Sequence, residues 1–101
     1  MTLRFLPEAE AELRAAAQVY ADVRMELAER FLDSIAAAQR EIAVRPLRFP
    51  VPVHIRTTRQ IRRALVNGFP YALIYEVRER ELLVLAVSHV SRRPGYWKKR
   101  G

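Results

Sequence analysis

The sequence predicts an α+β domain with the element order β-αα-βββ, in which a helical hairpin packs on one face of an antiparallel sheet. Three observations predict this class. Apolar residues recur at helical spacing through the first half of the chain, and a connector containing three prolines follows. In the second half, side chains alternate between two faces with the two-residue period of a strand. Because the chain has 101 residues, we expect residues 1–101 to form a single domain.

The first half predicts one strand and two helices. Residues 2–6 form a short apolar segment, and Pro7 is a favourable first residue for the helix that follows. The helical spacing is interrupted at a short break expected at residues 22–25. A second amphipathic helix then ends by Arg45, because Pro46 disfavours helical geometry in the residue before it. Two helices joined by so short a connection form an antiparallel hairpin with one apolar seam.

The second half predicts three strands. Residues 61–66 lead into Asn67-Gly68, a strong signal for a tight hairpin, and then into residues 69–77, whose side chains alternate between two faces. A charged turn at residues 78–81 follows. Residues 82–89 are apolar on both faces, which is typical of an interior strand.

The charge is distributed unevenly along the chain. The 18 Lys and Arg residues exceed the 11 Asp and Glu residues, for a net charge of +7. Residues 1–50 carry seven Arg against eight acidic residues, a net of −1, whereas residues 51–101 carry eleven Lys and Arg against three Glu, a net of +8. This asymmetry predicts an anionic partner for the C-terminal half: nucleic acid, an anionic membrane or an acidic peptide.

The composition also excludes several kinds of site. The sequence has no cysteine, so disulfides, thiol catalysis and cysteine-ligated metal sites are excluded. Only two histidines are present, His54 and His89, and three glycines are too few for a phosphate-binding loop, so we expect neither a metal nor a cofactor. The longest apolar run, Leu82 to Val87, is too short to cross a bilayer, and the N-terminus turns acidic at Glu8. We therefore expect a cytoplasmic protein that does not bind a membrane.

The C-terminal segment, residues 90–101, contains five Lys and Arg residues and the only tryptophan. Aromatic residues interleaved with cations are suited to phosphate contact combined with stacking on a base. In the alternative interpretation, Trp97 packs over an edge of the sheet and the terminal cations are solvated.

The chain resembles the RelE/ParE superfamily of bacterial type II toxins, many of which are described as plasmid-stabilisation proteins. Two stretches are most specific, RRALVNGFPYALIYEV at residues 62–77 and LAVSHVSRRPGYWKKR at residues 85–100. The paired signatures FPYxLIYEV and SHxxRRPxYW look closer to the ParE branch than to the RelE branch. The resemblance covers essentially the whole chain, and further matching residues are Phe5, Pro7, Ala9, Leu13, Tyr20, Ala28, Phe31, Leu32 and Pro46.

The resemblance implies a toxin that a smaller antitoxin neutralises, with the C-terminal segment of the antitoxin wrapping the helical hairpin and the sheet. ParE-like members poison DNA gyrase and have no accepted hydrolytic site, so the first expectation is a gyrase inhibitor without catalytic residues. RelE-like members cut mRNA on the ribosome without a metal, and this activity is the first alternative. A basic nucleic-acid-binding module without toxicity is the second alternative.

A metal-independent nuclease would need a base for the ribose 2′-hydroxyl, cations for the phosphorane charge and an acid for the leaving oxygen. His89 is the acid/base candidate, and its alternative role is a structural histidine that bonds to nearby backbone at the strand end. Two departures weigh against a nuclease: Ala72 stands where RelE-like toxins often carry arginine, and their lysine pair ahead of that strand is not evident. The cations that could replace that pair are Arg56, Arg59 and Arg62. The remaining nuclease candidates are four charge stabilisers, Arg62, Arg63, Arg92 and Arg93, and a second proton donor, Tyr96.

A ParE-like inhibitor requires only a surface that engages its target. We expect this target-binding surface to consist of Arg92, Arg93, Tyr96, Trp97, Lys98, Lys99 and Arg100. We expect the antitoxin to contact Arg62, Arg63, Tyr71 and Tyr75. Each of these functional interpretations requires that cationic side chains of the second half cluster in space.

Overall fold

The computed structural model describes residues 1–101. The α+β class and the predicted β-αα-βββ order are confirmed. The elements are β1 (Thr2–Phe5), α1 (Pro7–Val23), α2 (Met25–Val44), β2 (Ile61–Leu65), β3 (Tyr71–Val77) and β4 (Glu81–His89).

The helical hairpin begins and ends where local chemistry requires. Pro7 is the first residue of α1, and acidic side chains occupy its first turn, where they oppose the helix dipole. The predicted break is a single extended residue, Arg24, which ends α1 and precedes α2. The second helix ends at Val44, ahead of Pro46, as predicted.

The sheet is mixed, with the strand order β1-β4-β3-β2. The pairs β2–β3 and β3–β4 are antiparallel, but β1 runs parallel to β4, with Thr2 opposite Glu81 and Phe5 opposite Val84. The expectation of a wholly antiparallel sheet is therefore wrong for its first strand. A tight hairpin forces an antiparallel pair, whereas β1 and β4 are separated by two helices and two strands, so no turn fixes their relative direction.

A β-bulge in β4 changes which side chains face the helices. Ile74 pairs with Ala86 and Tyr75 with Val84, which leaves Leu85 as the extra residue. Leu85 and Ala86 consequently both lie on the face opposite the helices, and Val87 returns to the helix face. This irregularity was not predicted.

The sheet separates two apolar cores. On the helix face, Phe31 and Ile35 of α2 pack against Leu73 and Tyr75 of β3. The alternation predicted for β3 is confirmed, since Ala72 and Ile74 belong to the second core on the opposite face. That core is completed by Ile61, Leu83, Leu85, Ala86 and Trp97. Neither helix has an apolar stretch long enough to span a membrane.

Candidate functional site

Residues 90–101, here called the tail, fold back over the face of the sheet that the helices do not cover. Trp97 is only 3% exposed and packs in the second core. Two backbone turns shape the segment, with the Lys98 N–H donating to Gly95 O and the Arg100 N–H to Trp97 O, both at 3.0 Å. The prediction that Trp97 forms part of a target-binding surface is therefore incompatible with the fold, because its ring is used to anchor the tail.

Glu12, on α1, holds the tail from the helix side of the sheet. Its carboxylate accepts hydrogen bonds from Tyr96 Oη at 2.8 Å, from Arg100 Nη1 at 2.9 Å and from Arg100 Nη2 at 3.1 Å. It also accepts the Val87 N–H at 3.0 Å, next to the bulge. The bond to Glu12 raises the pKa of Arg100, and burial raises the pKa of Tyr96. Both side chains were predicted to bind the target, but they are engaged within the chain.

Glu76, on β3, holds the tail indirectly, through two arginines. Its carboxylate accepts two hydrogen bonds from Arg59, at 3.0 and 2.9 Å, and one from Arg78 at 2.9 Å. The same guanidinium groups donate to the tail backbone, Arg59 to Lys98 O at 2.9 Å and Arg78 to Gly101 O at 2.8 Å. These bonds, led by that from Arg59, lower the pKa of Glu76. Arg59 is thus a structural residue, not a substitute for a nuclease lysine.

A cavity of about 310 Å³ is lined by the sheet, by the tail and by three residues of the connector between α2 and β2, Pro52, Val53 and Ile55. Its apolar lining includes Ala72 and Ile74 of β3 and Trp97 of the tail. Its polar lining is formed by Arg63, Ser88, His89 and Arg92. No Asp or Glu is among the lining residues, so the cavity presents positive charge above an apolar floor.

His89 ends β4 and bonds to the backbone that follows. Its Nδ1 atom accepts the Ser91 N–H at 3.0 Å and lies 2.7 Å from Ser91 Oγ. The ring packs edge-on against Tyr71, with 5.1 Å between the ring centroids. An Nδ1 atom that accepts a backbone N–H leaves the proton on Nε2, so this ring has no free lone pair to act as a base. The geometry is that of the structural histidine that was the alternative interpretation.

Arg62 lies on the other side of the sheet from Arg63, because neighbouring residues in a strand point to opposite faces. Its Nη1 atom donates to Phe49 O at 3.2 Å and its Nη2 atom to Gln60 Oε1 at 3.3 Å, while its buried Nε has no partner. The four arginines expected to cluster are therefore divided. Arg63 and Arg92 line the cavity, Arg62 holds the connector, and Arg93 is exposed in the tail.

The two tyrosines assigned to the antitoxin differ in accessibility. Tyr75 is fully buried, and its hydroxyl donates to Pro46 O at 2.6 Å. Burial raises the pKa of Tyr75 to about 12. It can contact no partner of the folded chain, so this prediction is wrong for Tyr75. Tyr71 is half-buried and packs against the rings of Tyr20 and Phe31.

Four cations of the predicted target surface remain accessible. The side chain of Arg92 is 55% exposed, and Arg93, Lys98 and Lys99 are exposed and form no ion pair. Sequence reasoning missed the residues that hold the tail: Glu12, Arg59, Glu76 and Arg78. The one signal for them was Glu76, an acidic residue in an otherwise apolar strand, which required a cationic partner on burial.

Comparisons with known proteins place the chain in a family. Residues 3–94 match the family described as ParE toxin of type II toxin-antitoxin system, parDE. The fold is similar to that of a solved chain of the chromosomal ParDE TA system from P. aeruginosa, with a TM-score of 0.73 and 19% sequence identity over 88% of this chain and 95% of that chain. No curated protein matches the sequence. Because the family match extends from β1 through β4, the chain belongs to the ParE toxin family of type II toxin–antitoxin systems.

Proposed function

We propose that this chain is a toxin that inhibits DNA gyrase and that a cognate antitoxin neutralises it. The family match over residues 3–94 carries this proposal. The resemblance of the SHxxRRPxYW ending to the ParE branch, rather than the RelE branch, favours gyrase as the target. Inhibition of a topoisomerase requires a contact surface and no acid/base pair.

The positions of the nuclease candidates favour an inhibitor over an endoribonuclease. Arg62 lies across the sheet from Arg63, the Nδ1 lone pair of His89 is occupied, and the Tyr96 hydroxyl donates a hydrogen bond to Glu12. General acid–base catalysis needs a free base and a free acid within reach of one reacting phosphate. His89 and Tyr96 provide neither a free base nor a free acid, because their hydrogen-bonding atoms are already engaged within the chain.

The surface that we assign to the target is smaller than the sequence suggested. It consists of the four accessible cations of the tail, Arg92, Arg93, Lys98 and Lys99. Three of them, Arg93, Lys98 and Lys99, form no ion pair and lose little on binding, because no internal partner must be replaced. Arg92 has only a long contact with Glu12, at 3.9 Å. The four cations are suited to an acidic surface of the enzyme or to the phosphates of its DNA.

The antitoxin is assigned to the helical hairpin and the adjoining sheet. Val19 and Val23 at the end of α1 and Met25 at the start of α2 are each more than 60% exposed, at 61, 66 and 63%. Exposed apolar side chains that lie close together are typical of a protein interface. Arg63 and Tyr71 remain accessible for further contacts with the antitoxin.

A gyrase supercoiling assay with purified protein tests the proposal. We expect the chain to block supercoiling, and we expect co-purified antitoxin to restore it. The triple variant Arg93→Ala, Lys98→Ala, Lys99→Ala should inhibit at least about tenfold less strongly, since it removes most of the charged contact surface. The matched control is Arg30→Ala, Arg40→Ala, Arg80→Ala, which removes the same charge from exposed residues without ion pairs elsewhere. Equal loss in both variants would argue that net charge alone is responsible.

Cleavage mapping of translated mRNA distinguishes the first alternative. Unaffected supercoiling together with codon-linked cuts that His89→Ala abolishes would replace the proposal with a ribosome-dependent nuclease. Salt-sensitive binding to bare DNA or RNA, with normal growth of cells that overproduce the chain, would instead support a nucleic-acid-binding module.

A further inference from the structure

We propose that the cavity beneath the tail binds one nucleotide unit, with the base on the apolar floor and the phosphate on Arg63 and Arg92, and that it does so without cleaving the ligand. Gyrase inhibition does not enter this inference, which depends only on the contents of the cavity. The shared chemistry is a phosphate ester of a planar base, whether free or within a single strand.

The charge of the cavity selects an anion. Arg63 makes no hydrogen bond and no ion pair through its side chain, and none of the lining residues is acidic. Arg63 is partly exposed, so its guanidinium group is available to an anion that enters the cavity. Ser88 adds a hydroxyl as a further donor.

Arg92 is held in position before any ligand arrives. Its guanidinium carbon lies 3.9 Å from the centroid of the Tyr96 ring, and its Nη1 atom lies 3.9 Å from Glu12 Oε2. The Glu12 carboxylate is already engaged at short distance by Arg100 and Tyr96, so it leaves Arg92 free to donate. A pre-positioned guanidinium loses less side-chain entropy on binding an anion.

The apolar floor indicates a flat body attached to that anion. Ala72 and Ile74 present a strand surface, and Trp97 forms the adjoining wall. Ala72 is small, which gives the cavity its depth above the sheet. A volume of about 310 Å³ is at the lower end of the range for small-molecule sites, which fits one nucleotide unit and no more. Two guanidinium groups from different elements, β2 and the tail, fit a phosphate, which presents several oxygens in different directions.

The same residues explain why the ligand would not be cleaved. The Nδ1 atom of His89 accepts the Ser91 N–H, and the Tyr96 hydroxyl donates to Glu12. Neither group is free to move a proton to or from a bound phosphate ester. The cavity is therefore expected to bind a nucleotide without hydrolysing it.

The single tryptophan provides a direct probe. In ¹⁵N–¹H spectra of the purified chain, the one indole signal belongs to Trp97, which lines the cavity. We expect this signal to shift saturably with dTMP and with the oligonucleotide (dT)8. At the same concentrations, thymidine and inorganic phosphate should shift it much less, since each lacks half of the ligand. Tighter binding of (dT)8 than of dTMP would identify a single strand as the source, and equal binding a free nucleotide.

Two variants test the location of the ligand. Arg63→Ala should weaken dTMP binding at least about tenfold, as expected for a lost charge-assisted hydrogen bond, whereas Arg80→Ala, an exposed cation outside the cavity, should leave it unchanged. Ala72→Leu should block binding by filling the floor without changing the charge, with a melting curve to verify folding. If Ala72→Leu unfolds the chain, the result for Arg63→Ala alone tests whether the ligand binds in the cavity.

Several outcomes would overturn the proposal: equal shifts with thymidine and dTMP, unchanged binding by Arg63→Ala, tighter binding of an oligoglutamate peptide than of (dT)8, or degradation of (dT)8 or the matching oligoribonucleotide during incubation. None of these measurements involves gyrase. A negative supercoiling assay and a negative titration therefore test separate statements.

Discussion

The two faces of the sheet are covered by different means. Two helices cover one face, where large apolar side chains such as Phe31 and Ile35 pack on β3 and β4. The other face is covered by the tail, which has one buried aromatic anchor, Trp97. The last residues of the tail are held directly by Glu12 and, through Arg59 and Arg78, by Glu76. The helices are held on their face mainly by buried apolar area. The tail is held on the other face by one buried ring and a small number of hydrogen bonds.

This difference in packing explains why the cavity lies on the tail face of the sheet. Interdigitated side chains leave little space within an apolar core. A segment held at separate points spans the sheet without filling the space beneath it, and the cavity lined by Arg63 and Arg92 lies there. The face that contributes fewer apolar contacts is thus the face that presents accessible functional groups.

The largest expected effect comes from comparing one large aromatic residue on each face, Phe31 on the helix face and Trp97 on the tail face. Phe31→Ala should lower the free energy of unfolding by about 3–5 kcal/mol, because it opens a cavity in the main core. Trp97→Ala should cost less in global stability, because the tail can detach while the helix-side core stays intact. Chemical denaturation measures the first effect. Hydrogen exchange of the Lys98 and Arg100 amides measures the second, and unchanged protection there would contradict the contrast.

An intermediate effect is expected for the carboxylate that binds the tail through two arginines. Glu76→Gln should lower the free energy of unfolding by about 1–3 kcal/mol, because Arg59 and Arg78 lose their shared charged acceptor. The folded-state pKa of Glu76 is lowered, so its contribution is complete above the ordinary glutamate pKa and is lost as the pH falls through the lowered value. The wild type should therefore lose more stability than Glu76→Gln between about pH 6 and pH 3. Parallel pH profiles for the two proteins would contradict this.

The smallest effect concerns the helix face. Tyr75→Phe should lower the free energy of unfolding by about 0.5–1.5 kcal/mol through loss of the hydrogen bond to Pro46 O. Because burial raises the pKa of Tyr75 to about 12, its contribution to stability is complete below the ordinary tyrosine pKa. This contribution is lost as the pH rises from the ordinary value through the raised one. Thermal melts in alkaline buffer should show a weaker pH dependence for Tyr75→Phe. Tyr71→Phe is the control, since the Tyr71 hydroxyl makes no hydrogen bond, and it should match the wild type.

The candidate site was predicted only in part. Arg63, His89 and Arg92 line one cavity, whereas Trp97 and Tyr75 are buried. Alternation along β2 was enough to separate Arg62 from Arg63, but the pattern of residue types gave no reason to choose which of them faces the helices. The bulge at Leu85 has no recognisable local signal, yet it determines which side chains of β4 reach the cavity.

The sequence by itself determined the two helices, the break between them, the strand order along the chain and the imbalance of charge. These properties depend on residues that are near one another, through helical spacing, prolines and the Asn67-Gly68 turn. Only the tertiary structure decided the parallel pairing of β1, the burial of Trp97 and the attachment of the tail to Glu12 and Glu76. The physical reason is distance along the chain: Glu12 and Arg100 are 88 residues apart, and only folding brings their charges into contact.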